Sequence, residues 1–132
     1  MIDKRETVAQ YTDWLKAQEW SYFATFTTSF PLTLKSARRL ILKLADKTCP
    51  TQGDLLFWVA ERFEVREGYH MHALVKSRIG ATEIWSWWKK RYGRAQVLIY
   101  DPNVGGAGYV AKYVTKSIAD YDLEVGCAET LL

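Results

Sequence analysis

The feature that most constrains the fold of this chain is a pair of strand-like segments joined by a short turn. Residues 54–65 and 69–76 are rich in aliphatic and aromatic side chains, and Arg66-Glu67-Gly68 separates them. Apolar runs divided by three residues that include glycine predict an antiparallel β-hairpin. The rest of the fold must therefore be arranged around this pair of strands.

The flanking segments alternate between strand and helix patterns. Residues 20–28 are aromatic and threonine-rich, which favours a strand, whereas residues 33–47 repeat apolar side chains at helical spacing. The full set of predicted elements comprises helices at 5–18, 33–47, 81–92 and about 107–119, and further strands at 20–28 and 94–101. The order predicts an α+β fold of the ferredoxin-like or RRM-like βαββαβ kind, with a central antiparallel sheet and an added helix at each end.

Local signals give finer expectations for two of the helices. Thr33 and Ser36 are both candidate N-caps of the helix at 33–47, and Thr82 is a candidate cap of the helix at 81–92. In that second helix we expect Trp85 and Trp88 to lie in the core and Trp87 to be exposed.

The chain has 132 residues, 48% of them hydrophobic, which predicts one globular domain over 1–132 with its core at about 20–119. It contains no apolar window of roughly 18 residues, so we expect no membrane span. A charged N-terminus lacks the apolar stretch of a signal peptide, which predicts a cytoplasmic protein. Cys49 and Cys127 lack metal-site or redox-motif spacing, and we expect two reduced thiols.

The positive charge of the chain is concentrated in its second half. The formal net charge is +3, but residues 76–116 carry eight Lys or Arg and two Asp or Glu. A basic region of this kind attracts polyanions such as nucleic acid, although many charge runs are only solvated surfaces.

The second strand of the hairpin contains both histidines of the chain, His70 and His72. Side chains two residues apart on a strand point to the same face, so both imidazoles are expected on one side of the sheet. With the turn centred near residues 66–67, Glu61 is expected opposite His72 on that face. Two imidazoles and one carboxylate suit a divalent cation such as Mn²⁺ or Mg²⁺; Glu64 and Glu67 are the alternative carboxylates in another register.

The predicted C-terminal helix carries a second chemical pattern. Tyr109 and Tyr113 are four residues apart and so share a helix face, and Lys112 and Lys116 form a second pair one step round. An amphipathic helix with buried tyrosines and solvated lysines would show the same spacing. A tyrosine hydroxyl has a pKa of about 10, and an adjacent lysine favours its phenolate or neutralises transition-state charge. Together with a cation held by Glu61, His70 and His72, such a tyrosine can attack a phosphodiester.

Three segments resemble the motifs of the HUH superfamily of rolling-circle replication initiators. The strand at 22–27 resembles the first motif, the strand at 68–75 the histidine–hydrophobe–histidine second motif, and residues 109–116 the third. The last of these is most similar to the two-tyrosine form of gene A-type initiators of small single-stranded DNA phages. The resemblance extends over residues 20–116.

The resemblance implies a sequence-specific single-stranded DNA endonuclease and ligase that initiates rolling-circle replication of a plasmid or phage. It implies metal-assisted transesterification, with a 5′-phosphotyrosine intermediate and a free 3′-hydroxyl. By this likeness Tyr109 and Tyr113 are the nucleophiles, Lys112 and Lys116 assist them, and Glu61 completes the metal ligands. The implied partners are origin DNA, with or without a hairpin, and a host helicase and polymerase, but no membrane.

Several other side chains are expected to contact DNA. The two threonines lie in the segment similar to the first motif, and the rest are basic or aromatic: Thr25, Thr27, Arg38, Arg39, Arg78, Trp87, Lys89, Lys90 and Arg91.

Two other functions fit the same patterns. An HUH transposase has the same chemistry, although the paired Tyr-x-x-Lys favours an initiator. A non-catalytic ferredoxin-like nucleic-acid-binding module explains the charge and the aromatic residues, but leaves the histidine, glutamate and tyrosine patterns as coincidence.

Overall fold

A computed structural model describes residues 13–104 and 118–126 of the chain. Residues 13–17 are helical and lead into the first strand. The elements that follow are β1 (Tyr22–Phe26), α1 (Leu34–Thr48), β2 (Leu55–Arg62), β3 (Tyr69–Lys76), α2 (Ala81–Arg91), β4 (Ala95–Ile99), a 3₁₀ turn (Pro102–Val104) and β5 (Ile118–Val125).

The five strands form one sheet in the order β4-β1-β3-β2-β5. Every neighbouring pair is antiparallel. The first four strands have the order expected of a βαββαβ ferredoxin-like arrangement, so the predicted α+β class is confirmed. The fifth strand extends the sheet beyond the edge of β2.

Helix α1 begins where its sequence predicts. Thr33 is the N-cap, and its hydroxyl accepts a hydrogen bond from the Ser36 backbone N–H at 3.0 Å while the Ser36 hydroxyl accepts one from the Thr33 N–H at 2.8 Å. This reciprocal pair satisfies two N–H groups that the helix itself leaves unpaired. The buried side chains recur at helical spacing and turn one face to the sheet: Ala37, Leu40, Ile41, Leu44, Ala45 and Thr48.

Helix α2 departs from its sequence prediction at its start and on its surface. Its N-cap is Gly80, with no side-chain cap, so the expectation for Thr82 was wrong. Ile84 and Trp88 are buried one turn apart, whereas Trp85 is 41% exposed and not in the core as predicted. Trp87 is partly buried against the core. The helix packs through the narrow i, i+4 face of Ile84 and Trp88, which leaves no place beneath it for Trp85.

The two faces of the sheet carry separate cores. The helix-facing core contains Trp58, Phe26, Met71 and Trp88, which are completely buried. The opposite face packs a smaller cluster of Leu15, Trp20, Phe57, Val59 and Leu74. Trp20 donates its indole N–H to the Leu15 carbonyl at 2.6 Å. This bond joins Trp20 to the helix at residues 13–17, and both residues pack on this second face.

The β2–β3 hairpin has a longer loop and a different register from those predicted. Glu61 pairs with His70, and Val59 pairs with His72. The predicted alignment of Glu61 with His72 was therefore wrong by two residues, which leaves all three side chains on the same face. The strand ends at Arg62, and the Phe63 N–H donates to the Gly68 carbonyl at 3.1 Å. Gly68 has φ of 105°, and a Cβ there would lie 3.0 Å from the Pro31 Cα and the Leu32 N, so a side chain has little room.

Strand β5 was missed by the sequence interpretation, which continued the C-terminal helix to residue 119. Ile118 and Ala119 are in this strand, and the remainder of that predicted helix lies outside the described residues. Its alternation of Asp120, Asp122 and Glu124 with apolar residues is a strand pattern. The acids belong to the helix-facing side, where the Trp58 indole donates to Glu124 at 3.2 Å.

No helix in the described part of the chain is long and apolar enough to cross a membrane.

Candidate metal centre and its surroundings

One carboxylate oxygen faces two imidazole nitrogens on the sheet face opposite α1 and α2. Glu61 Oε1 lies 2.9 Å from His70 Nε2 and 3.4 Å from His72 Nε2. One ligand atom from each of the three residues can be chosen so that all lie within 4.8 Å of one another. The hairpin creates this convergence, because β3 presents both histidines to one face and β2 carries Glu61 directly beside them.

The three side chains are shielded from water but remain accessible. The exposed fractions of the Glu61, His70 and His72 side chains are 19%, 14% and 9%. Burial lowers the pKa of His70 below its ordinary value, against an opposing effect of Glu61. Burial also lowers the pKa of His72, and the neighbouring His70 adds to the effect. The lowered pKa values favour the neutral imidazole, which is the form that donates a lone pair to a metal.

Residues of other elements hold the two rings in place. His72 Nδ1 lies 3.1 Å from the hydroxyl of Thr25, its partner across β1 and β3. The His70 ring packs against Phe63, with the ring centroids 4.5 Å apart. The guanidinium of Arg66 covers the Phe63 ring at 4.1 Å. The β2–β3 loop thus folds back over His70.

The donor set fits a divalent cation. Two neutral imidazoles and a carboxylate are ligands that such ions accept, and three protein ligands leave coordination positions open for a substrate. His70 Nδ1 is buried with no hydrogen-bond partner among the described residues. The far side of this ring is therefore held by packing on Phe63, whereas Nδ1 of His72 has the Thr25 hydroxyl as a partner.

The alternative carboxylates do not join this cluster. Glu64 and Glu67 are exposed in the loop between β2 and β3. Within the described ranges, Glu61, His70 and His72 form the one group with metal-ligand geometry.

Tyr109, Lys112, Tyr113 and Lys116 lie outside the described residues. Their proposed roles remain predictions from the sequence.

The residues expected to contact DNA are distributed over different parts of the molecule. Arg38 is on the helix-facing side, where it donates to Asp120 at 2.9 and 3.0 Å and to Asp122 at 2.9 Å. Its guanidinium also lies 5.1 Å from the Trp58 ring centroid, and the two acids raise its pKa. Arg38 thus forms ion pairs with two acids that are distant in sequence, and the distribution of charges along the sequence did not predict these pairs. Arg39 is exposed on the same helix, and Arg78 donates to the Thr51 hydroxyl at 3.0 Å.

Helix α2 presents cations stacked on indole rings. Arg91 lies 4.5 Å from the Trp87 ring centroid and Lys89 lies 5.7 Å from that of Trp85. Lys90 is exposed beside them. Such cation–aromatic pairs can contact both a phosphate and a base of a single strand.

Phe63 and Arg66 contribute to the site but were not identified from the sequence. Phe63 falls in the segment predicted as a strand and Arg66 in the predicted turn, whereas in the structure both belong to the β2–β3 loop, which brings Phe63 against His70 and Arg66 against Phe63. The available signal in the sequence was that a large aromatic residue and an arginine, Phe63 and Arg66, lie within a few residues of the strand that carries the histidines.

Comparison of the chain with protein-family models, with curated proteins and with solved structures finds no match. The fold and the arrangement of Glu61, His70 and His72 therefore carry the functional interpretation.

Proposed function

We propose that this protein is a metal-dependent endonuclease that nicks and rejoins single-stranded DNA through a tyrosine. The convergence of the Glu61 carboxylate on both imidazoles of β3 is the observation that carries the proposal. The basic character of residues 76–116 and the paired Tyr-x-x-Lys sequence support it.

The proposed reaction is a transesterification. The phenol oxygen of Tyr109 or Tyr113 attacks phosphorus, a new O–P bond forms, and the bond from phosphorus to the 3′ oxygen breaks. The phenol proton is lost and the 3′ oxygen gains one, which leaves a 5′-phosphotyrosine and a free 3′-hydroxyl. A divalent cation, when bound, supplies Lewis acidity toward the phosphate oxygens. Lys112 and Lys116 provide charges that favour the phenolate.

The described residues contribute orientation and exclusion of water. The Thr25 hydroxyl is hydrogen-bonded to His72, and Phe63 covers His70. Both contacts restrict the imidazoles to a narrow range of orientations, and fixed ligands orient a bound phosphate before attack. Because attack by tyrosine conserves the phosphoester linkage, the same centre can rejoin the strand.

The natural substrate that we propose is a replication origin of rolling-circle type, cut in single-stranded form. The paired tyrosines favour this over transposition, because two nucleophiles can alternate, one releasing DNA while the other cuts again. Transposition by the same chemistry is the alternative, and sequencing of the joined products distinguishes the two.

The direct test is covalent capture. The protein is incubated with a library of single-stranded oligonucleotides and Mn²⁺, and the products are separated on a denaturing gel. We expect a protein–DNA adduct that is absent with chelator, in Glu61→Gln and in the Tyr109→Phe/Tyr113→Phe double variant. Glu64→Gln and Tyr92→Phe are matched controls that should retain the adduct. An adduct that persists with chelator or in the double variant contradicts the mechanism.

A further inference from the structure

A basic cleft lies at the end of the sheet next to the metal centre. Its volume is about 670 Å³. Three chain segments form it: the residues after β1, the β2–β3 loop, and the end of α2 with the turn that leads to β4. The lining residues are Thr27, Thr28, Ser29, Phe63, Arg66, Lys89, Gly93 and Arg94.

Backbone contacts hold two walls of the cleft together. The Thr27 N–H donates to the Arg94 carbonyl and the Ser29 N–H donates to the Tyr92 carbonyl, each at 2.9 Å. Gly93 lies between these bonds, and a Cβ there would come within 2.8 Å of Thr28 Cα. The α2–β4 turn therefore packs directly on the backbone after β1, and the cleft is built into the fold.

The lining of the cleft is positively charged. It contains three cations, Arg66, Lys89 and Arg94, and no carboxylate. None of them has an ion-pair partner within residues 13–104 and 118–126. Arg66 donates to the Thr28 carbonyl at 3.1 Å, and Lys89 lies over the Trp85 ring, so two are held in position but not neutralised. Converging cations without acids favour an anionic ligand.

Phe63 connects the cleft to the metal centre. One face of its ring packs on His70 and Arg66 covers the ring, while Phe63 itself lines the cleft. A chain of phosphates that occupied the cleft would therefore continue toward Glu61, His70 and His72.

We propose that this cleft binds the phosphodiester backbone of the DNA strand beside the scissile position, with Arg66, Lys89 and Arg94 as phosphate contacts. The choice of DNA as the ligand rests on the proposed function. Backbone binding by separate cations positions a strand without reading its sequence. Neither Arg66 nor Arg94 was singled out by the sequence patterns, and the two line one cleft only in the folded protein.

The test is equilibrium binding without catalysis. Fluorescence anisotropy of a labelled 20-nucleotide thymidine oligonucleotide is measured in EDTA over a range of salt concentrations, with the full-length protein. We expect Arg66→Gln and Arg94→Gln each to weaken binding roughly fivefold. Each should also reduce the magnitude of the log–log salt slope by about 0.7, the value for one lost phosphate contact on a single strand.

The matched control is Lys43→Gln, an exposed cation of α1 that does not line the cleft. It should leave affinity and salt slope unchanged. Because Arg66 also contacts Phe63 and Thr28, thermal unfolding of each variant is measured, and Arg94→Gln alone carries the test if Arg66→Gln unfolds early. Unchanged binding by Arg94→Gln, or an equal loss in Lys43→Gln, overturns the proposal.

The binding test of the cleft and the adduct test of the nuclease can fail independently of each other. Loss of binding in Arg94→Gln without any tyrosine adduct in the intact protein supports the cleft and contradicts the nuclease. An adduct that forms normally in Arg94→Gln, with unchanged binding, supports the nuclease and contradicts the cleft.

Discussion

Thr25 and His72 face each other across β1 and β3, with the threonine hydroxyl 3.1 Å from His72 Nδ1. A hydroxyl can donate to an unprotonated nitrogen or accept from a protonated one. It therefore suits both the tautomer that donates from Nε2 to Glu61 and the tautomer that leaves Nε2 free for a metal. Thr25 was expected to contact DNA, and its observed partner is a histidine of the candidate metal centre.

Removal of this hydroxyl should weaken metal binding. We expect Thr25→Val to lower Mn²⁺ affinity about tenfold or more, because partners that orient a ligand typically contribute 10- to 100-fold. Isothermal titration calorimetry measures the change, and Thr25→Ser, which retains the hydroxyl, should restore most of the affinity. Equal affinities for Thr25→Val and the parent protein would show that the hydrogen bond has no positioning role.

Metal binding should also stabilise the folded protein. At a Mn²⁺ concentration 100-fold above Kd the gain is about 2.7 kcal/mol, which raises Tm by several degrees. We expect this shift to be lost in His72→Gln and retained in Glu64→Gln, since Glu64 lies outside the cluster. Differential scanning fluorimetry with and without Mn²⁺ measures it, and a shift of equal size in His72→Gln would exclude the centre as the binding site.

The core against α1 provides a stability comparison on one helix. Leu44 is fully buried and Leu42 is 41% exposed. We expect Leu44→Ala to lower the free energy of unfolding by about 2–5 kcal/mol, because truncation leaves a cavity. Leu42→Ala should change it by no more than about 0.5 kcal/mol. Urea denaturation followed by tryptophan fluorescence measures both, and similar losses would contradict the observed orientation of the helix.

The Arg38 pairs predict a small, pH-dependent contribution to stability. Hydrogen bonding to Arg38 lowers the pKa of Asp122, so this stabilisation is present above the ordinary carboxyl pKa and is lost as pH falls through the lower folded value. The Arg38 and Asp122 side chains are 36% and 50% exposed, so screening limits the contribution to about 1 kcal/mol or less. We expect Arg38→Met to lower the free energy of unfolding at pH 6 and to change it less at pH 2.5, as measured by urea denaturation. A larger loss at pH 2.5 than at pH 6 would contradict the pairing.

Cys49 should react slowly with thiol reagents. It is a free thiol that is 7% exposed, and burial raises its pKa to about 11. In a Cys127→Ser background, alkylation at pH 8 should therefore be much slower than that of free cysteine, since the thiolate is the reactive form. Reaction in urea should be fast, and mass spectrometry measures both rates. Rapid labelling of the folded protein would show that the thiol is accessible.

Local patterns were sufficient to predict the fold class and the shared face of the histidines. Strand alternation depends only on the two-residue repeat of an extended chain, so His70 and His72 share a face in any register. The Thr33–Ser36 cap is likewise local, because its partners are three residues apart. The order of strand and helix patterns limited the topology because sequential elements in small α+β folds pack beside one another.

Long-range packing set the features that the sequence left open. The hairpin register depends on the loop between Phe63 and Gly68, and Gly68 packs on Pro31 and Leu32 from elsewhere in the chain. Trp85 is exposed because the contact face of α2 is narrow, and Arg38 meets Asp120 and Asp122 only because β5 joins the sheet edge. The cleft cations come from the β2–β3 loop, from helix α2 and from the turn after it. Such contacts join residues far apart in sequence, so no window of neighbouring residues encodes them.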